Sequence, residues 1–198
     1  KVLAGLFLSP LAGFAAGFLV LRLIYFLARN ASPNINEIFK RAQLFTAISL
    51  AFSHGTNDAQ KTMGIITLSL LISGVLSDFT VPFWVIAVSA SIMALGTALG
   101  GWRLIRTLGG KFYKIRPVHS FATQLTSAFV ILAGSLAGAP VSTTQVVSSA
   151  IVGVGASERF GKVRWTVVSD ILTAWLITIP VSGLISAGIY WLIVSVAG

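Results

Sequence analysis

One decamer in this chain has the residue types to handle a cation: Ser53-His54-Gly55-Thr56-Asn57-Asp58-Ala59-Gln60-Lys61-Thr62. It interrupts an apolar stretch, residues 42–76, and Asp58 is the only acid between Glu37 and Asp78. An ionised Asp at membrane depth costs at least about 2.5–3.5 kcal/mol, so it needs water, a cation or a partner. Two readings are open. Asp58 pairs with Lys61, three residues on, at a helix end facing water. Or Asp58 ligates a cation, with Asn57, Ser53 and unwound backbone carbonyls as further oxygens. Hard cations such as Na⁺ take oxygen ligands by the logic that governs Ca²⁺ and Mg²⁺. Gly55 would permit the unusual backbone such a site needs. His54 has no other His near it in sequence and reads as a hydrogen-bonded structural residue rather than a proton carrier.

A second polar break, Gly138-Ala139-Pro140-Val141-Ser142-Thr143-Thr144, interrupts residues 118–157. Pro140 is expected to end the preceding helix, and Ser142 or Thr143 to cap a helix starting near Thr144. A helix N-terminus offers free N–H donors and a positive dipole end, which makes an anion site. Three hydroxyls beside those donors suit a tetrahedral oxyanion. Read alone, the motif is also a plain cap; paired with a broken element carrying Asn-Asp, it reads as the anion site. Gln124, in the apolar run before the break, is either a helix–helix hydrogen bond or a further ligand to the same cation. Asp78, beside Thr80 and Pro82, and Asp170, near Arg164, read as solvated residues at membrane edges.

The elements that position these breaks belong to a membrane protein. Of 198 residues, 56% are hydrophobic and 10% charged, and the mean hydropathy is +0.91. A soluble domain carries about 25% charged residues, so this chain cannot coat itself as one. Fourteen basic residues against five acidic ones give a net charge of +9. The basic residues sit in short runs between apolar stretches, as cytoplasmic loops do, which argues against nucleic acid. There is no Cys, hence no disulfide framework or thiolate metal site. No nucleophile–base pair, metal triad or nucleotide loop points to an enzyme.

Residues 2–21 are uncharged and long enough to cross the roughly 30 Å hydrocarbon layer. Residues 30–43 read as a short amphipathic piece at the interface. Residues 82–101 form a second clean span, in which Gly96 and Gly100 make a small-xxx-small pair suited to close helix contact. Arg103, Arg106, Lys111, Lys114 and Arg116 follow as a cytoplasmic loop. The last stretch, 165–197, would be about 50 Å long as one helix. It must tilt, bend or divide, with Pro180 and Gly183 the natural place. The fold expected is an all-α integral membrane bundle with two broken or re-entrant elements, 42–76 and 118–157. Paired interrupted segments of this kind point to a transporter binding site.

Residues 53–64, ending Thr62-Met63-Gly64, resemble the Gly-x-Asn-Asp signature of the inorganic phosphate transporter (PiT) family. Pro140-Val141-Ser142-Thr143-Thr144-Gln145, followed by Gly153-Val154-Gly155, is similar to that family's second signature, and Trp165…Trp175…Thr178-Ile179-Pro180 fits its C-terminal end. The resemblance implies a secondary transporter that couples phosphate uptake to Na⁺ or H⁺ by alternating access, built from two inverted repeats. Each repeat carries one copy of both motifs. This chain has one copy of each, and its Ser-His-Gly form resembles the C-terminal half. Residues 1–198 are therefore expected to be a single repeat that works with a complementary N-terminal half, in the cell membrane and as a homo-oligomer.

The resemblance carries phosphate binding to Ser142, Thr143 and Thr144, and cation binding to Asn57 and Asp58, with Asp58 the Na⁺ ligand; Asn57 is added as a phosphate ligand, and Gln124 and Ser53 as further cation ligands. The transported cation is the coupling ion and no other cofactor is expected. Gln124 stands where some members have Glu, and Gln145 where Thr-His is common. A sulfate symporter of the same family, or a non-transporting scaffold subunit, are the alternatives.

Overall fold

The computed structural model describes residues 2–32, 34–139 and 141–197, and the side chains of all of these except 2–4, 6, 103–105, 107, 108, 110, 196 and 197. The described residues form six α-helices and one short 3₁₀ turn: α1 (Val2–Leu27), α2 (Ile35–Ile72), α3 (Phe83–Gly110), α4 (Pro117–Leu136), α5 (Thr143–Glu158), the turn Phe160–Lys162, and α6 (Trp165–Ala197). Three stretches are long and apolar enough to cross a membrane: Phe7–Leu27, Phe83–Trp102 and Trp165–Ser195.

Helix α2 overturns an expectation. The polar decamer breaks nothing: α2 runs unbroken for 38 residues, about 57 Å, and takes in the piece expected to lie separately at the interface. The physical reason is local satisfaction. The Ser53 hydroxyl donates to the Ser49 carbonyl (2.9 Å) and the Thr56 hydroxyl to that of Phe52 (2.8 Å). Asn57, Asp58 and Lys61 find partners across the break between α4 and α5, so no unwound carbonyls are needed. Gly55 is an ordinary helical residue with open space beside it. The helix ends where Gly74 adopts a left-handed φ of 75°, with Gly74 N–H bonded to Leu71 O (3.1 Å) and Val75 N–H to Leu70 O (3.0 Å). That pair of bonds is a Schellman stop.

The second interruption is a break in the backbone. Helix α4 stops by the same device, with Gly138 at φ 64°, Gly138 N–H on Ser135 O (3.1 Å) and Ala139 N–H on Gly134 O (2.9 Å). Gly138 thus ends the helix; Pro140, to which that role was assigned, lies outside the described residues. The chain then turns through 137–142 into α5, which is buried along most of its length.

Two helix pairs build the core around α5. Helix α1 packs on α5, and α2 on α4. The close contact expected of Gly96 and Gly100 is made by other glycines: both of these face open space, whereas a Cβ on Gly13 would lie 2.7 Å from the Val146 carbonyl oxygen, and one on Gly17 2.7 Å from that of Ala150. Gly13 and Gly17 form the GxxxG face that lets two backbones approach. Helices α2 and α4 run parallel, because Thr46 bonds Gln124 and, eleven residues further along both, Asn57 bonds Ser135.

Helix α3 continues past the expected span, so Arg106 is helical and the basic loop shrinks to 111–116. Helix α6, which forms a unit by itself, is one continuous helix through Pro180 rather than two. It has no buried residue among those described.

Candidate functional site

The uninterrupted α2 presents Asn57, Asp58 and Lys61 to the break between α4 and α5. Asp58 Oδ1 accepts from Asn57 Nδ2 and from Lys61 Nζ, both at 3.0 Å. Its Oδ2 accepts from the Thr143 hydroxyl at 2.9 Å and has His54 Nδ1 at 3.7 Å. Asn57 is buried; its Oδ1 accepts from Ser135 (2.9 Å) and its Nδ2 also donates to the Val141 carbonyl (3.2 Å). That carbonyl, inside the break, receives Lys61 as well, at 2.7 Å. Asp58 therefore meets Lys61, as one of the two sequence readings held, but in mid-helix and together with the second motif.

The anion half of the site is the start of α5. The helix begins at Thr143, with Ser142 in the capping position at φ −86° and ψ 109° and its hydroxyl making no cap bond. The first helical bond is Val146 N–H to Ser142 O (3.0 Å), so the N–H groups of residues 143–145 precede the helical ladder. Thr143 is buried, Ser142 half-buried and Thr144 exposed. Behind the break an open, mostly apolar cleft of about 530 Å³ lies between α1 and α4, with Ser9 and Val141 in its wall.

Two candidates are not brought to Asp58. Gln124 Oε1 accepts from Thr46 at 2.7 Å, eleven residues and so about 16 Å along the helix pair from Asn57. It makes the helix–helix hydrogen bond. The Ser53 hydroxyl is buried and turned back on Ser49. Three partners escaped the sequence reading: Ser135, the Val141 carbonyl, and Ser9, whose hydroxyl donates to Gln145 Oε1 (3.2 Å). Only the first had a signal, since Ser135 follows Gln124 by the interval that separates Thr46 from Asn57.

A second polar cluster, unforeseen in the sequence, closes the other end of the α4–α5 hairpin. Glu158 ends α5 about 22 Å from Thr143. It pairs with Arg116, with His119 Nε2 (3.2 Å) and with Lys162 (3.4 Å), while Arg116 donates to Tyr25 on α1 (2.8 Å). His119 Nδ1 accepts the Arg116 backbone N–H (3.2 Å), which leaves the ring proton on Nε2, towards Glu158. The Tyr113 ring lies edge-on to His119, and burial raises its phenol above the usual range. These contacts fix the base of the hairpin so that its tip meets α2.

A bundle of apolar helices with a charged face turned onto a broken hairpin defines a multi-span membrane protein with a polar site at a helix end. Residues 27–186 match the phosphate transporter family, and the chain belongs to it. It is a multi-pass protein of the cell membrane. It is 40% identical over 98% of its length to a probable low-affinity inorganic phosphate transporter of Bacillus subtilis, covering 59% of that protein. It is 30% identical over 90% of its length to a putative phosphate permease of Thermococcus kodakarensis, covering 46% of it. A solved structure described as the sodium-dependent phosphate transporter superposes with a TM-score of 0.72 at 28% identity, over 86% of this chain and 45% of that one. The chain thus spans roughly half the length of the relatives it matches.

Proposed function

We propose that the chain is the C-terminal repeat of a sodium-coupled inorganic phosphate symporter that works with an inverted N-terminal repeat. The observation that carries this reading is the Thr143–Asp58 hydrogen bond, which joins the acidic face of α2 to the open N-terminus of α5. Phosphate lies against that N-terminus, on the N–H groups of residues 143–145 and the hydroxyls of Ser142, Thr143 and Thr144, with Asn57 alongside. The cation takes Asp58, beside Asn57; Ser53, whose hydroxyl is bonded to the Ser49 carbonyl, is not among its ligands. Gln124 belongs to a separate station. The names of the relatives support phosphate as the anion and sodium as the cation.

Coupling follows from charge. Asp58 and phosphate repel each other unless a cation lies between them. At about 4 Å and an effective dielectric near 20, each unit-charge pair is worth about 4 kcal/mol. Cation and anion therefore bind in a mutually dependent way. Only the empty or the fully loaded carrier changes its facing, by one repeat rocking against the other. The test is phosphate uptake into proteoliposomes of the chain reconstituted with a complementary repeat. Uptake driven by an inward sodium gradient is expected, and sulfate should not compete. Sodium-independent uptake, sulfate transport or no transport would each overturn a named part of the reading.

A further inference from the structure

We propose that Lys61 is a tethered cation that holds the sodium place in the unloaded site and is displaced when sodium binds. The inference rests on the symport reading above and names a residue that tunes its ion specificity. Lys61 Nζ sits between a carboxylate oxygen and a backbone carbonyl, Asp58 Oδ1 at 3.0 Å and Val141 O at 2.7 Å. A carboxylate and a carbonyl are the oxygens a hard cation takes. Asn57 Nδ2 donates to the same two atoms, at 3.0 and 3.2 Å. A positive group and an amide donor thus share one oxygen pair, and a metal ion can take the place of the positive group only by evicting Lys61.

Lys61 is built to leave. Its ammonium is a point charge on a flexible four-carbon stem, and its side chain is 44% exposed. Asn57 has a second anchor in Ser135 and stays.

Eviction changes the charge of the site in the useful direction. With Asp58 paired to Lys61 the pair is neutral and offers an anion no net field. With sodium on Asp58 and Lys61 still nearby the total is +1. The start of α5, one hydrogen bond from Asp58, then faces a net positive group. Sodium binding first and phosphate second is the order this dictates.

The decisive variant is Lys61→Met, which removes the charge and keeps the stem. The empty site then carries −1 and the sodium-loaded site 0. In the reconstituted chain with its complementary repeat, the half-saturating sodium concentration should fall threefold or more while that for phosphate rises threefold or more. Loss of fold would move both the same way or abolish uptake, so opposite shifts are the signature. Lys61→Cys alkylated with bromoethylamine restores an ammonium on a stem of nearly equal length and should return both constants to wild type. Unchanged constants in Lys61→Met, with sodium-driven uptake intact, would overturn the tethered-cation role alone. Absence of sodium dependence in the unsubstituted protein would overturn the symport reading beneath it.

Discussion

Replacing Asp58 by Asn should separate phosphate binding from sodium. The substitution keeps the shape and removes the charge on which Asn57, Lys61 and Thr143 converge. One of its two oxygens becomes an NH₂ group, so at least one of those donors loses its acceptor. For a sodium ion about 4 Å from the carboxylate centre, at an effective dielectric near 20, the lost attraction is about 4 kcal/mol. That is about a thousandfold in sodium affinity. The fold should survive. The Asp58 and Lys61 side chains are 29% and 44% exposed, and exposed pairs of this kind contribute about 1 kcal/mol or less. The assay is phosphate binding in detergent across a sodium titration, with thermal unfolding as the control. The wild-type curve should tighten with sodium, and the Asp58→Asn curve should be flat. A variant whose sodium midpoint stays within threefold of wild type would refute the argument, because the carboxylate would then serve only to hold Lys61 and Thr143.

Replacing Ser142 and Thr143 together by Ala should weaken phosphate binding by roughly 2–4 kcal/mol, taking about 1–2 for each donor lost to a charged partner; unaltered affinity in equilibrium dialysis, or phosphate density elsewhere in a soaked crystal, would contradict the placement. Gln124→Ala should leave the sodium midpoint of phosphate binding within threefold, since Gln124 lies about 16 Å from Asn57 along the helix pair. Gly17→Ala should lower stability in a detergent unfolding assay by about 1–3 kcal/mol, because the added methyl meets the Ala150 backbone. Gly96→Ala, facing open space, should be neutral in the same assay.

What the sequence disclosed and what it hid divide on a physical line. Periodic and compositional features were legible. The uncharged run of 2–21, the span at 82–101 and the break near 138–144 all recur in the structure, because hydrophobic length and Gly in a left-handed turn are local properties. The decamer at 53–62 misled because its meaning is not local. Eight polar residues within ten in an apolar stretch imply a broken backbone only if they have no partners. Ser135, Val141 and Thr143 supply those partners from more than 70 residues away. Gly96 and Gly100 misled likewise: spacing shows that a close approach is possible, while the helix that makes it is set by what α1 and α5 bury together. Helix α6 had to tilt, bend or divide, with Pro180 and Gly183 the natural place, and it stays one continuous helix, since inside a membrane helix a lost N–H bond can be tolerated without a break.

The unequal roles of the two motifs bear on how binding becomes movement. Helix α2 is continuous through the site, with the Ser53 and Thr56 hydroxyls bonded within its own turns. The start of α5, the second helix of the hairpin, is tied to α2 on both sides of Ser142. On one side the Val141 carbonyl accepts from Asn57 and Lys61; on the other the Thr143 hydroxyl donates to Asp58. Two of these bonds depend on the charge at Asp58, that of Thr143 directly and that of Lys61 through its ion pair. A cation arriving there competes for Asp58 Oδ1 and Val141 O and loosens one tie, while Thr143 can turn its hydroxyl from Asp58 to an anion and loosen the other. Each intramolecular hydrogen bond of this kind contributes about 0.5–1.5 kcal/mol, and rather more when one partner is charged. On the symport reading proposed above, loading both ions would replace these direct ties between the hairpin tip and α2 by ties through the ions themselves, each exchange worth a few kcal/mol at most. On that reading one ion alone would exchange only one of the two ties, which is how the proposed coupling would avoid leak.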